Sequence, residues 1–381
     1  MAPTVDVAVH QDAAVNLKSS STLNAASEPT VEPATTTYPR PPLKLTGALD
    51  HLKYFDNTPV IGREYHDVLI TDLLHASNSD ELLRELAITI SQRGVVYFRK
   101  QNLLDTNDLK LLVDRLGKLA GKPESSRLHI HPVINAGREG FGGSDNEISK
   151  ISSELNKKLY ADKFFNRSQK SQSLARHWHS DITFEPVPSD YAVLQIYEKP
   201  PTGGDTLWAS GYELYDKFSK PVQEFLDKLT ATYAQPAFNQ AAKNSGFKVY
   251  SEPRGSPENV GEELTAIHPV IRTNPVTGWK SVYAVGHHVA YINDLTERES
   301  ARYLEEFVQL ITNNHDLQVR FRWEENDIAI WDNRSVYHAA TPDVKGVRTG
   351  NRAVSLGERP YFDPASKSRR EALGEPLEAQ I

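Results

Sequence analysis

The stretch ARHWHSDITFEP, residues 175–186, sets His177, His179 and Asp181 at alternating positions beside a tryptophan. In an extended segment residues i and i+2 share a face. Two imidazoles and a carboxylate therefore project together, and two of them could hold a metal ion; the alternative is a polar edge strand whose histidines face water. A second signal lies far downstream, in NDIAIWDNRSVYHAATPDVKGVRTGNRAVSLG, where His338 follows a strand and a turn, and Arg348 and Arg352 lead into another strand. Two histidines and one carboxylate on one face of a ferrous ion leave three coordination positions open. His179 and Asp181 would come from one strand and His338 from a facing one, and the open positions suit a bidentate 2-oxo acid plus dioxygen. A nearby arginine would clamp the distal carboxylate of that co-substrate through two charge-assisted hydrogen bonds, worth about 1.5–3 kcal/mol.

Composition narrows the chemistry. The chain has no cysteine, which excludes disulfides, thiolate nucleophiles and cysteine-ligated clusters and leaves nitrogen and oxygen as the metal donors. No obvious general base stands beside the proposed triad, which disfavours a zinc hydrolase. With 381 residues, 39% hydrophobic and 24% charged, the chain can bury a sizeable core. The net charge is −7 and no lysine/arginine block stands out, so nothing electrostatic points to nucleic acid or an anionic membrane. There is neither a bilayer-length apolar run nor a secretory signal, and the cytosol is the default expectation.

Residues 1–42, rich in Ala, Ser, Thr and Pro, read as a disordered leader. Beyond them, SDELLRELAITISQRG (79–94) has helical spacing, VVYFRK reads as a strand, and DTNDLKLLVDRLGKLAG as a second helix. Residues 135–176 show no clear period and read as a long active-site loop. YAVLQIYEK (191–199) is a strand. Capping boxes at Ser210/Glu213 and Thr296/Glu299 open two helices. LQVRFRW (317–323) and DIAIWD (327–332) predict a hairpin across the turn EEN, and RAVSLG (352–357) is a further strand. Short strands broken by a few helices give a mainly β fold with α decoration, an antiparallel sandwich or barrel.

HWHSDITFEPVPSDYAVLQIYEKPPTGGDTLWASGYELYD, HPVIRTNPVTGWKSVY, FRWEENDIAIWDNRSVYHAA and RTGNR, in that order, closely resemble the taurine dioxygenase family over roughly residues 45–362. That family uses iron(II), 2-oxoglutarate and dioxygen. The resemblance implies a double-stranded β-helix, or jelly roll, over a single domain at 43–381. It makes His179, Asp181 and His338 the iron ligands, with Thr206 and Arg348 on 2-oxoglutarate. For the substrate it implies His131 and Arg352 as an anion grip, Ile182 and Phe184 as apolar wall, and His287 near a position where taurine enzymes carry an aromatic wall. His177 is expected to be a bystander rather than a fourth ligand. Ala175 and Ile134 depart from the taurine pattern, which carries asparagine and tyrosine at those places. The resulting expectation is a fungal-type dioxygenase acting on a small anionic molecule, an alkylsulfonate first, with release of sulfite and an aldehyde. The alternatives are an oxygenase for a non-sulfonate metabolite and a metal-holding sensor without turnover. No nucleic-acid or membrane partner is expected, and a homo-oligomer stays open.

Overall fold

The computed structural model describes residues 38–134, 145–155 and 177–375. The expected leader lies outside the described residues up to position 37, as do 135–144 and 156–176 of the expected loop. The rest of both segments departs from expectation. Residues 38–42 are docked: Tyr38 Oη and Arg40 Nη1 each donate to Gly121 O at 3.0 Å, and the Tyr38 ring stacks on Tyr361. The low complexity of the whole stretch hid these two anchors. Within the loop, Ile148–Ser152 form a strand.

Seven strands make the main sheet, in the order β1 (Tyr54–Asp56), β2 (Arg63–Tyr65), β3 (Val95–Phe98), β13 (Asp327–Asp332), β5 (Ser189–Glu198), β15 (Thr349–Leu356) and β4 (Ile148–Ser152). All neighbours are antiparallel except β2 and β3. A smaller sheet has the order β12 (Gln318–Phe321), β6 (Thr206–Ser210) and β14 (Val336–Ala340). A second three-stranded sheet runs β11 (Val289–Ile292), β7 (Thr230–Ala234), β8 (Thr265–Pro269), and β9 (Ile271–Thr273) pairs with β10 (Lys280–Val282).

The strand period explains the layering. On β13, Ile328 and Ile330 belong to one apolar cluster and Ala329 and Trp331 to another. The first cluster is covered by α1 (Ile70–His75), α2 (Ser79–Arg93) and α3 (Thr106–Leu119). The second joins the main sheet to β6, β12 and β14, with Tyr97 stacked on Phe321 at 4.1 Å and Trp208 edge-on to Trp331 at 5.8 Å. Because β13 is buried on both faces, it needs a strand partner on each side and finds them in β3 and β5. The predicted hairpin is therefore wrong. β12 pairs with β6 in the other layer, and the turn between β12 and β13 crosses from one sheet to the other.

α4 (Gly211–Asp216), α5 (Lys220–Leu226) and α7 (Glu297–Asn313) lean on a third apolar cluster, and α6 (Pro236–Asn244) and α8 (Arg369–Leu373) are further helices among the described residues. The Thr296/Glu299 box opens α7 as predicted, whereas at α4 only half of the expected box forms: Ser210 accepts from Glu213 N, while the Glu213 carboxylate pairs with Arg370. No helix among the described residues is long and apolar enough to cross a membrane.

Candidate active site

The segment expected to be a strand is extended only at its centre. His179 bridges His338 on one side and Gly286 on the other. The two histidines exchange backbone hydrogen bonds, His179 N to His338 O at 3.1 Å and His338 N to His179 O at 2.8 Å. The chain then turns at residues 181–184, with Ile182 at φ 65°. Asp181 thus projects from a turn rather than from a strand face, because the backbone must leave the bridge to reach β5. Gly286 makes the close approach feasible: at φ 101° it lies where a Cβ would fall 2.4 Å from Trp178 O and 2.9 Å from His179 Cα.

His179, Asp181 and His338 converge, their candidate ligand atoms all within 4.8 Å of one another. Asp181 Oδ1 is 3.9 Å from His179 Nε2 and 4.0 Å from His338 Nε2. His179 Nδ1 lies 2.8 Å from His177 O, and since a carbonyl only accepts, that nitrogen carries the proton. Its Nε2 lone pair is left for a metal. His177, expected as a bystander, thus contributes a carbonyl that orients a ligand. Burial pushes His179 down to about 4, with the neighbouring His338 adding to the effect. Burial alone would raise the Asp181 carboxyl, but Arg352, His338 and His179 outweigh it and hold the group at about 2. Near neutral pH the cluster is two neutral imidazoles and an ionised carboxylate, the protonation state a hard or borderline cation requires.

A second polar centre forms where β6 begins and β15 approaches. Arg348 is buried, donates from Nε to Gly204 O at 2.8 Å and from Nη2 to Thr206 Oγ1 at 3.3 Å, and makes no ion pair among the described residues. Burial lowers it to about 10, so it is cationic at neutral pH. Thr206 Oγ1 also accepts from Trp323 Nε1 at 3.0 Å. With two donors on its oxygen, the hydroxyl hydrogen is directed to a further acceptor. A buried guanidinium with no ion-pair partner among the described residues, next to a hydroxyl with a proton to give, could receive a carboxylate.

Between and above these centres lies a cavity of ≈ 400 Å³ whose lining includes every expected site residue except Thr206 and His338. Phe184 stands edge-on to Phe238 of α6 at 5.6 Å, and Ile134, Ile151 and Ile182 extend the apolar wall. His131 Nδ1 accepts from Val133 N and Ile134 N, both at 3.0 Å, which puts its proton on Nε2. The His287 ring is 4.8 Å from His179. Arg352, expected at the substrate, donates from Nη1 to Asp181 Oδ1 at 2.7 Å.

His288, which the sequence pairs with His287 in VGHHVAY as a pocket candidate, is buried, lines the cavity and is bonded to Thr183 Oγ1 at 2.9 Å. Two other contributors escaped the sequence reading. His268, first residue of the HPVIRT block, meets Thr183 O and Glu185 O through Nε2 at 3.0 and 3.1 Å and so fixes the turn that carries Asp181. Trp323 anchors Thr206. The only advance signal for His268 and Trp323 was their presence inside the quoted blocks, since partners more than eighty residues away in the chain leave no local pattern.

Comparison with known proteins places these features in context. The "Taurine catabolism dioxygenase TauD, TfdA family" matches residues 53–354. The chain is 50% identical over 344 residues to the alpha-ketoglutarate-dependent dioxygenase btcD of Neocamarosporium betae, covering 87% of this chain and 98% of that one. It is 45% identical over 369 residues to the alpha-ketoglutarate-dependent dioxygenase esdpJ of Penicillium shearii, covering 88% and 97%. An alpha-ketoglutarate-dependent sulfonate dioxygenase of Saccharomyces cerevisiae is 33% identical over 318 residues, covering 82% and 68%. Among solved structures, a taurine dioxygenase from Burkholderia xenovorans shares the fold at a TM-score of 0.61 and 23% identity, covering 83% of this chain and 92% of that one.

Proposed function

The chain belongs to the taurine catabolism dioxygenase TauD, TfdA family and is a 2-oxoglutarate-dependent dioxygenase, and we propose that it hydroxylates an unactivated C–H bond of a small, largely apolar metabolite. The family implies iron, with 2-oxoglutarate and dioxygen as co-substrates. His179, Asp181 and His338 would hold the iron, and their converging nitrogen and oxygen donors fit it. Arg348 and Thr206 would take the distal carboxylate of 2-oxoglutarate, a fit supported by the uncompensated buried charge of Arg348. When bound, iron and 2-oxoglutarate together supply the oxidising power for hydroxylation, with succinate and carbon dioxide as co-products. The protein's own work is positional. Arg352 steadies the Asp181 carboxylate, the Arg348 end fixes the co-substrate, and the isoleucine and phenylalanine wall keeps water from the reacting carbon. The same reading takes the chain from about residue 38 onward as one domain on a double-stranded β-helix, supported by two antiparallel layers packed face to face.

The observation that carries the substrate class is the apolar cavity directly over the ligand cluster, with the arginine nearest the ligands committed to Asp181. A second reading, hydroxylation of an alkylsulfonate with release of sulfite and an aldehyde, is favoured by His131 and Arg352 both lining that cavity. Mass spectrometry of products from a panel of apolar metabolites, organic acids and alkylsulfonates separates the two. One added oxygen per succinate formed on a non-sulfonate supports the first reading. Sulfite as the main product supports the second, and absence of succinate formation with every compound rejects both.

A further inference from the structure

The backbone of the carboxylate ligand is held by a residue that does not itself face the metal site. Asn333 is completely buried in the tight connection between β13 and β14. Its Oδ1 accepts from two donors, Asp181 N at 3.0 Å and Trp331 Nε1 at 3.0 Å. Its own main chain is fixed in turn, Asn333 N donating to Asp190 O at 2.8 Å. On either side of Asp181 N, Ser180 Oγ donates to Val336 O at 2.7 Å and Ser189 Oγ donates to Asp181 O at 3.0 Å. The amide and the carbonyl of Asp181 are thus tied to the β13–β14 connection and to the start of β5. This matters because Asp181 stands where regular pairing ends. A reciprocal backbone bridge holds His179 against His338, whereas side chains hold the Asp181 amide and carbonyl.

We propose that Asn333 is a positioning residue that sets the Asp181 carboxylate against the two imidazoles by pinning the Asp181 amide. The inference rests on the metal reading given above. Loss of the acceptor frees the amide, and the turn at 181–184, with Ile182 held at φ 65°, relaxes toward commoner backbone angles. The carboxylate moves off the common centre without any ligand having been removed. Outer contacts of this kind change metal affinity by about 10–100-fold.

Cobalt(II) serves as the probe, since its ligand-field bands report coordination geometry independently of turnover. In the full-length protein, Asn333→Ala is expected to weaken cobalt binding by about 10–100-fold and to alter the bands. Asn333→Asp, which keeps an acceptor oxygen at the same place, is expected to restore wild-type bands. Trp331→Phe removes the other donor on Oδ1 and is expected to leave the bands unchanged. Unaltered affinity and bands in Asn333→Ala overturn the inference. So does a change in Trp331→Phe equal to that in Asn333→Ala, which would make Asn333 a support for the tryptophan alone. If Asn333→Ala does not fold, Asn333→Leu, close in size and lacking an acceptor oxygen, takes its place under the same criteria. A wild-type protein that takes up no cobalt fails the metal reading itself, and this inference with it.

Discussion

At the scale of single residues, the proposed 2-oxoglutarate end offers the sharpest test, because its two groups would have distinct electrostatic tasks. Arg348 is a buried cation whose hydrogen-bond partners among the described residues are a carbonyl and a hydroxyl, neither of which neutralises it. Replacing it by Leu removes the charge that a carboxylate would meet. The apparent affinity for 2-oxoglutarate should fall by about 10–100-fold, the equivalent of one or two charge-assisted hydrogen bonds. Thr206→Val removes a single neutral donor while keeping the shape, and should cost no more than about 10-fold. Titrating 2-oxoglutarate against succinate formation checks both. Equal losses in the two variants would contradict the division of labour drawn here, and unchanged affinity in Arg348→Leu would move the co-substrate elsewhere. The residue types at this centre were legible in the sequence through the GGDTLW and RTGNR blocks. The Trp323 contact was not, since nothing in FRWEEN says that its indole lies over a threonine 117 positions away.

At the scale of elements, the ligand bridge depends on a place where two backbones nearly touch. Gly286→Ala combines a left-handed φ of 101° with a Cβ 2.4 Å from Trp178 O. Strained backbone of this kind costs about 1–3 kcal/mol before any overlap is counted. The variant should melt at lower temperature and should also lose metal affinity, because relief of the overlap displaces the His179 backbone. A lower melting temperature with undisturbed cobalt bands would show that the bridge does not set ligand geometry. The helices α2, α3, α4 and α7 were legible because apolar spacing and capping residues are local properties. Strands β3, β5 and β15 were legible because β-branched and aromatic runs mark them. The β12–β13 hairpin was misread for a physical reason. Two adjacent strands with a short turn look alike in sequence whether they pair or part into separate layers, and only the burial of β13 on both faces decides. The turn at Asp181 was misread in the same way: alternation of polar groups suggested a strand face, whereas side-chain contacts from Asn333, Ser189 and His268 impose a bend.

At the scale of the whole molecule, the site is assembled from segments that start near residue 129 and end near residue 352, and buried polar groups hold these segments in register. Arg254 pairs with Glu185, Arg272 with Glu358, and Arg334 with Asp332, all six side chains essentially buried. Such groups tie the fold to pH, and the sign follows from each shift. His268 is pushed by burial, with Arg272 adding, down to about 3. An unfolded histidine takes up its proton near pH 6.5 while the folded one refuses it, so His268 contributes stability that is complete above about 6.5 and is lost as pH falls toward 3. For Asp332, burial works to raise the carboxyl, but Arg334 and the hydrogen bonds from Ser91 and Asn274 hold it below the ordinary range. Its contribution is complete above the usual carboxylate pKa and is lost only as pH falls below it. Acidification should therefore weaken the protein in two stages, the first belonging to imidazole and the second to carboxylate. Each group refusing a proton adds a slope of about 1.4 kcal/mol per pH unit. His268→Gln keeps a donor for the Thr183 and Glu185 carbonyls and cannot titrate. Urea midpoints of the metal-free protein between pH 7 and about 4.5 should show a shallower slope in this variant, with wild-type and variant curves converging at the acid end. Parallel curves would mean that His268 is protonated alike in both states, and the first stage would have to be reassigned to other histidines that burial likewise depresses, His129, His179, His288 and His338.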